Sequence, residues 1–441
     1  MKPLSLLLLC VCLSIPAPGQ KQPTKSPPLT AHKLIALKVT GTTRYTDKEI
    51  LAASGLQIGQ NVAEGDFKEA VRRIGDSGLF TDIAYSYFSS AAGTKLELQL
   101  TDIDPSKLAP AQFENFVWFT DEQLRAALQQ RVPLFTPMLP LAGNLQDRVT
   151  EALQDLLAEK QIAGHVSCLR NADAATGALN AIDYRVEDVS IEIRSLEFPG
   201  ASPDQAALLA KAGRSAIASQ YSRLALAAVA KFDLLPVYLQ RGYLKAEFRQ
   251  ADARIVPKSV PDAGAQTADF EVDAIVPVTP GKVYSVSGVT WQGTSAIATS
   301  EIVPLVHLPL GQPADAVRLP LDLEKVTRLY RSRGYIMVQI KSTAQLDDDK
   351  STVHYDLSVS EGDLYKMGEL EITGLDTQAA ARMRAAWTLH QGQPYNADYP
   401  NKFIEDTRQF LPRGLPWGAV IHETPDKSDK TVDIEIHFQQ R

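Results

Sequence analysis

Residues 72–80 read RRIGDSGLF, a helical stretch closed by a glycine and an apolar pair. Two readings compete for it. Gly75-Asp76-Ser77-Gly78 spells the tetrapeptide around the nucleophile of trypsin-like serine hydrolases. Cut one residue later, the same letters give a helix end, a left-handed glycine and the apolar start of a strand. The trypsin-like triad runs His, Asp, Ser along a two-barrel fold with its nucleophile late, yet only His32 stands ahead of Ser77. Comparison within the chain decides. Aligned on their glycines, Ser77 falls beside Arg241, Arg333 and Arg413, whereas Gly78 returns as Gly242, Gly334 and Gly414. The glycine recurs and the serine does not, so the stretch punctuates a repeat.

Before Gly78, Phe67, Ala70, Val71 and Ile74 fall at i, i+3, i+4 and i+7, one apolar stripe that must face a sheet. The corresponding stripes are Leu224, Ala228, Leu235 and Leu239 before Gly242, and Leu323, Val326 and Tyr330 before Gly334. Phe403, Ile404, Thr407, Phe410 and Leu411 precede Gly414. Further upstream a phrase occurs three times, as LQIGQ (56–60), LPLGQ (308–312) and LHQGQ (389–393). Ahead of it stand strand-like segments ending in glycine: IALKVTG (35–41), YSVSGVTWQG (284–293) and MGELEITG (367–374).

Each unit finishes in two alternating runs. The last are Leu96, Leu98, Leu100; Ile182, Tyr184, Val186; Phe270, Val272, Ala274; Val353, Tyr355, Leu357, Val359; and Val432, Ile434, Ile436, Phe438. Alternation of period two marks a strand with one face buried. The unit is therefore strand, helix, helix, strand, strand, in about 70 to 90 residues, enough to fold on its own core. The fold class is α+β.

Five such units fill residues 32–102, 111–188, 189–278, 280–362 and 364–441. The second is degenerate. FENFVWF (113–119) is read as its first strand, its aromatics forming a buried face, and the helix Leu145 to Lys160 ends near Gly164 without the glycine-aromatic pair. IDPSKLAP (103–110) is read as a hinge, and the Pro-, Ala- and Gly-rich segment 251–268 as a mobile hairpin loop. Residues 1–19, with Lys2, the apolar run Leu4 to Ile15 and Ala17-Pro18-Gly19, have the form of a signal peptide, and 20–31 that of a disordered lead-in. Cleavage after Gly19 is expected. A lipid anchor on Cys10 or Cys12 is the alternative, with Leu9 and Val11 where such signals carry a small residue.

A formal net charge of −7 in a chain of 441 residues argues against nucleic acid as a main partner. No run outside the signal approaches the about twenty apolar residues of a spanning helix. Cys168 is the one cysteine beyond the signal and alternates with Val166 in HVSCLR, which reads as a buried thiol with no internal disulfide. The seven histidines show no metal-ligand spacing. No paired-carboxylate or phosphate-loop pattern stands out either, so no catalytic residue, metal or cofactor is expected. Arg72-Arg73 reads as a solvated helix face, and Asp347-Asp348-Asp349-Lys350 as a hairpin turn.

The element order resembles the POTRA (polypeptide-transport-associated) domain. The residues that carry the likeness are Gly41 with Gly78-Leu79-Phe80, Gly200 with Gly242-Tyr243, Gly293 with Gly334-Tyr335, and Gly374 with Gly414. The resemblance implies a three-stranded mixed sheet with two helices on one face, the third strand central and the second at the edge. It also implies a periplasmic, non-enzymatic role in handling unfolded outer-membrane or secreted polypeptides. Family members of the barrel-assembly type continue into a transmembrane β-barrel. This sequence ends at Arg441 after the fifth unit, so a separate outer-membrane β-barrel protein is an expected partner and no direct membrane span is expected. A rigid envelope spacer without client binding is the alternative.

An open sheet leaves unpaired N–H and C=O groups along its edge strand, where an extended polypeptide can add as a further strand. The expected edges follow each glycine-aromatic turn. They are IAYSYF (83–88), with Ile83, Tyr85 and Tyr87; LKAEFR (244–249), with Leu244, Ala246 and Phe248; and IMVQI (336–340), with Ile336, Val338 and Ile340. The last is the most apolar, and so either the most adhesive or covered by a neighbouring unit.

Overall fold

The structure is a computed structural model that describes residues 32–172, 179–256, 270–411 and 416–440. The signal, the lead-in, most of the expected 251–268 loop and Gly414 lie outside the described residues. The chain divides into two compact units, Met1–Asp188 and Val189–Arg441.

The first unit holds two repeats. In the first repeat, β1 (His32–Thr40), α1 (Asp47–Ser54), β2 (Asn61–Val62), α2 (Glu64–Gly75), β3 (Phe80–Ser90) and β4 (Gly93–Asp102) follow in order. Helix α1 starts at a capping box in which the Glu49 amide donates to Thr46 Oγ1 and the Thr46 amide to the Glu49 carboxylate. The sheet order is β2-β1-β4-β3, with β4 central, parallel to β1 and antiparallel to β3. Leu96, Leu98 and Leu100 of β4 and Phe67, Ala70 and Ile74 of α2 are all buried, as the two periodicities require.

The second repeat runs β5 (Leu108–Phe113), α3 (Asp121–Arg131), β6 (Met138–Pro140), α4 (Leu145–Glu159), β7 (His165–Ala172) and β8 (Leu179–Glu187), in the sheet order β6-β5-β8-β7. Two expectations change here. The first strand is Leu108–Phe113 rather than 113–119, and the expected hinge is a 3₁₀ turn, Pro105–Lys107, leading into that strand. Residues 114–119 instead fold back as a turn, bringing the buried Phe116 ring to 5.9 Å from Phe113, which lies 6.0 Å from Tyr184. Packing of these rings, rather than strand pairing, accounts for the aromatic spacing.

The second unit holds three repeats. In the third, β9 (Ile191–Glu197) and α5 (Pro203–Ala212) precede a helix in three parts: α6 (Arg223–Val229), a π turn (Ala230–Leu234) and α7 (Leu235–Leu239). Then come β10 (Glu247–Phe248), β11 (Asp252–Val256), β12 (Phe270–Ile275) and β13 (Val278–Thr279), with sheets β11-β12-β9 and β10-β13. The helix is phased differently from the sequence reading. Leu226, Ala230, Leu234 and Tyr238 are its buried residues, while Leu224 and Ala228 face outward. A segment apolar on every face offers no contrast from which to read the phase.

The fourth repeat is β14 (Ser285–Gln292), α8 (Thr299–Ile302), α9 (Arg318–Ser332), β15 (Gln339–Asp347) and β16 (Thr352–Ser360). The fifth is β17 (Lys366–Thr373), α10 (Thr377–Ala386), α11 (Tyr399–Thr407), β18 (Trp417–Asp426) and β19 (Thr431–Gln440). Their sheets are β14-β16-β15 and β17-β19-β18, each with the last strand central. Val353, Tyr355, Leu357 and Val359, and Val432, Ile434, Ile436 and Phe438, are all buried.

Candidate functional site

Three backbone devices recur and together decide which sheet edges are open. The first lies after the first strand. Gly41, Gly200, Gly293 and Gly374 all have positive φ, and a Cβ on each would fall 1.8–2.2 Å from a carbonyl oxygen of the closing segment of the sheet, those of Leu100, Val278, Val359 and Phe438. Glycine is thus required on two counts, backbone conformation and close approach. The second repeat has no such glycine. There buried Asn115 takes the place, its Nδ2 donating to the Val186 carbonyl and its Oδ1 accepting from the Val186 amide, both at 2.8 Å.

The second device is the LxxGQ phrase. The amides of Gly59, Gly311 and Gly392 donate to the carbonyls of Leu34, Val286 and Met367, whose own amides donate to the carbonyls of Gln60, Gln312 and Gln393, all within 2.7–2.9 Å. In the third repeat Ala218, at φ 62°, and Ser219 make the same pair of bonds to Ile193, and in the second β6 pairs with β5. The phrase therefore folds onto the outer side of the first strand. A β-bulge follows in β1, β14 and β17, and Val39 and Ile372 bond to Asp47 and Arg384 side chains. Turn, bulge and side chains blunt that edge.

The third device joins repeats. The Tyr284 amide donates to the Gly242 carbonyl at 2.8 Å, and the Tyr365 amide to the Gly334 carbonyl at 2.9 Å. Each tyrosine carbonyl then accepts from the next repeat, from Ala314 and Tyr395, both at 2.9 Å. A Cβ on Gly242 would lie 2.8 Å from the Tyr284 oxygen, and one on Gly334 2.7 Å from that of Tyr365. In the first unit a Cβ on Gly78 would meet the Ala142 carbonyl at 1.9 Å, and the Asn144 amide donates to the Asp76 carbonyl. The recurring glycine is therefore a junction as well as a helix end. Ser77 is fully buried beside it, its hydroxyl donating to the Ile74 carbonyl at 2.5 Å and accepting from the Leu79 amide.

Side chains reinforce the junctions of the second unit. Lys245 pairs with Asp348 at 2.6 Å, and Tyr284 donates its hydroxyl to the same carboxylate. The Lys245 ammonium, and then the Tyr284 hydroxyl, hold the Asp348 carboxyl below its ordinary value. Between the fourth and fifth repeats, Arg328 pairs with Asp398 at 2.7 Å and Arg331 with Glu423 at 3.7 Å. The expected solvated hairpin at Asp347–Lys350 is thus also a clasp through Asp348.

With the first-strand edges blunted, β3, β7, β11, β15 and β18 are paired on one side among the described strands. Ile83, Tyr85 and Tyr87 stand along β3, with the Phe67 ring 6.4 Å from Tyr85 and 5.3 Å from Tyr87. On the opposite face Phe88 is 69% exposed beside a groove of about 450 Å³ lined by Ala36, Lys38, Lys95 and Glu97. Phe248 lies in the short β10, which pairs with β13, while Leu244 and Ala246 lie in the turn before it. Ile340 is in β15, but Ile336 and Val338 precede it, and Val338 is buried with Ile302, Val326 and Tyr330. Val338 therefore plugs the core of its own repeat, Ile336 packs against the core of the fifth and Met337 is exposed, while the edge beyond them, QIKSTAQLD, is polar and largely exposed. An apolar triplet after a helix has the same pattern whether it forms a strand or a plug.

The edges differ in how they are guarded. Strand β3 is long and carries neither Pro nor Lys, whereas β18 contains Pro425, β15 Lys341 and β11 Arg254. In the third repeat Arg254 also pairs with Glu197 and Asp273. The Ser195 hydroxyl, with Arg194 and Arg254, keeps the Asp273 carboxyl below its ordinary value. Cys168 is half-buried, and burial pushes its thiol up. Among the described residues no group of three His, Cys, Asp or Glu side chains is placed to hold a metal, and no helix is long and apolar enough to cross a membrane.

Residues 284–362 match the POTRA family model, described as surface antigen variable number repeat. Among solved structures the chain is similar to POTRA domains 3–5 of BamA from Haemophilus influenzae, at 17% identity over 56% of this chain and 96% of that one, with a TM-score of 0.42. It is also similar to the N-terminal domain of Omp85 from Thermosynechococcus elongatus, at 17% identity over 58% and 99% of the two chains, with a TM-score of 0.24. CdiB from Escherichia coli is similar at 18% identity over 42% and 30%, with a TM-score of 0.20. At these scores the fold reading rests on the strand order itself. The fourth repeat is thus the segment matched to the POTRA family, and the same parallel-antiparallel sheet with a central last strand recurs in the repeats around it.

Proposed function

We propose that the chain is a non-enzymatic periplasmic scaffold in outer-membrane protein assembly or polypeptide transport. It holds extended segments of unfolded polypeptides, or of an outer-membrane β-barrel partner, by adding them as strands at open sheet edges, first of all at β3. One observation carries the reading: each repeat blunts one edge with its own chain, by an LxxGQ-type turn or in the second repeat by β6, and leaves the other edge paired on one side only among the described strands. Backbone pairing is nearly indifferent to side-chain identity, which suits a scaffold that must accept many sequences. Exposed Phe88 and the half-buried Tyr85 and Tyr87 add apolar contact for alternate residues of the incoming strand.

The backbone bonds at Gly242 and Gly334 favour a second reading, a spacer whose repeats hold fixed angles without binding clients. Photocrosslinkers placed at Ser86, at Phe88 and, on the polar edge, at Thr343 separate the two in living cells. Adducts to unfolded outer-membrane or secreted polypeptides, strongest from β3, are expected. If β3 gives no more adducts than the exposed Glu151 of α4, the scaffold reading fails and the spacer stands.

A further inference from the structure

In β4 the residues that alternate with the buried leucines, Lys95 and Glu97 among them, lie on the opposite face of the sheet. Register sets their neighbours. Lys95 stands between Ala36 of β1 and Phe88 of β3, and Glu97 between Lys38 and Ser86. The groove of about 450 Å³ is this patch, and residues of the edge strand itself form one of its walls.

Later repeats treat the corresponding place differently. In the fourth, register puts His354 beside Gly288 and Gln345, where the first has Lys95 beside Ala36 and Phe88. The imidazole fills the space over Gly288: a Cβ there would fall 2.7 Å from its Nδ1, and its Nε2 is 2.7 Å from Thr290 Oγ1. In the third, Asp273 of the central strand is taken up by Arg194 at 2.8 Å and Arg254 at 3.3 Å. In the fifth a groove of about 430 Å³ is lined by Glu369, Glu371, Asp433 and Glu435. The first repeat therefore has its own chemistry. Lys38 pairs with Glu97 at 3.1 Å, but Lys95 is exposed and makes no ion pair among the described residues, which leaves one ammonium of the groove uncompensated. Beside it Phe88 is 69% exposed, and Ala36 keeps the floor low.

We propose that the first repeat selects strands that carry a carboxylate and a large apolar side chain two residues apart on the face turned away from the helices. The selection rests on the reading that a polypeptide adds along β3. The apolar side chain packs on Phe88 across the new pair of strands. Lys95 stands opposite Phe88, so it lies two strand spacings, about 10 Å, from the added strand. A lysine and a glutamate side chain bridge that distance between them. An extended chain places residues i and i+2 on one face, which is why the two features come two apart. A lysine in the place of the acid meets Lys95 with like charge and is rejected.

Fluorescence anisotropy of short labelled strand peptides with the full chain tests this. The peptides share one apolar face and carry on the other Phe with Glu, Phe with Lys, or Ser with Ser. The Phe-Glu peptide is expected to bind most tightly, on the order of fivefold over Phe-Lys at low salt and less at high salt. Lys95→Glu should reverse that order and Lys95→Ser should erase it, while Phe88→Ser weakens both Phe peptides by up to about fivefold. Both positions are exposed, so an unchanged melting temperature is expected to show that folding is intact. A photocrosslinker at Asp82, on β3 outside the groove, reports whether a peptide lies along the edge. Peptides that crosslink there with equal affinities overturn the inference and leave the scaffold reading standing. A glutamate preference that survives Lys95→Glu also overturns it, because another cation then reads the acid. Absence of any peptide binding sinks the scaffold reading and this inference with it.

Discussion

The amide nitrogen of Tyr365 lies 2.9 Å from the carbonyl oxygen of Gly334, and this bond fastens the fifth repeat to the helix end of the fourth. A methyl at position 334 would sit 2.7 Å from the Tyr365 oxygen, on a backbone with φ of 94°. Gly334→Ala is therefore expected to cost about 1–3 kcal/mol. The loss should appear in urea unfolding, together with a longer, more flexible particle in small-angle scattering. An unchanged scattering profile would show that the junction does not depend on this approach.

Conformation and space can be separated at two glycines of one repeat. Gly374 and Gly392 have φ of 80° and 82°, but a Cβ on Gly374 falls 1.8 Å from the Phe438 oxygen, whereas one on Gly392 meets nothing within 4 Å. Gly392→Ala should lose about 1–2 kcal/mol for the left-handed backbone alone. Gly374→Ala should lose about 4 kcal/mol or more. Equal losses in denaturant titration would rule out the collision as the cause.

Ser77 is enclosed, its hydroxyl bonded on both sides to backbone. Ser77→Ala should lower stability by about 1–2 kcal/mol. A fluorophosphonate probe should leave the folded chain unlabelled at this residue, and stoichiometric labelling of Ser77 would reopen the hydrolase reading of GDSG.

Asn115 substitutes with its side chain for the glycine contact found in the other repeats. Asn115→Ala leaves a buried N–H and C=O of Val186 without these partners and should cost about 2–3 kcal/mol. Hydrogen exchange at the Val186 amide is the direct readout, with faster exchange expected in the variant.

Asp348 titrates below its ordinary value of 3.8 when folded, because Lys245 and Tyr284 favour its charged form. A depressed folded value means that its stabilisation is complete above the unfolded value and is lost as pH falls through the folded one. The pair is exposed, so the effect is small. Asp348→Asn should be less stable than the unmodified chain at neutral pH, and the gap should close below about pH 4. A gap that persists or widens in acid would contradict the assignment.

Much of the architecture was legible because it is written in side chains. The alternating apolar residues of β4, β16 and β19 announce a strand with one buried face, and Phe67, Ala70 and Ile74 announce the helix above it. The devices that shape the site are written in backbone. LxxGQ could be seen to recur, but nothing in its letters says that Gly59 bonds to Leu34. Gly334 could be read as a helix end, but its contact with Tyr365 belongs to a turn thirty-one residues on. Val338 is legible as apolar but not as a plug, Ile336 not as a contact with the fifth repeat, and Leu224 reads as inward because its helix is apolar all round.

The blunted first strand also bears on assembly. A sheet lengthens without limit only when each member can accept a strand on one side and offer one on the other, as fibrils do. In these repeats one side is closed by the chain's own turn, so two repeats that met along their open edges would exhaust both. Adhesion at any one edge therefore stops at a pair of strands, so no single sheet can grow into a fibril by repeated strand addition.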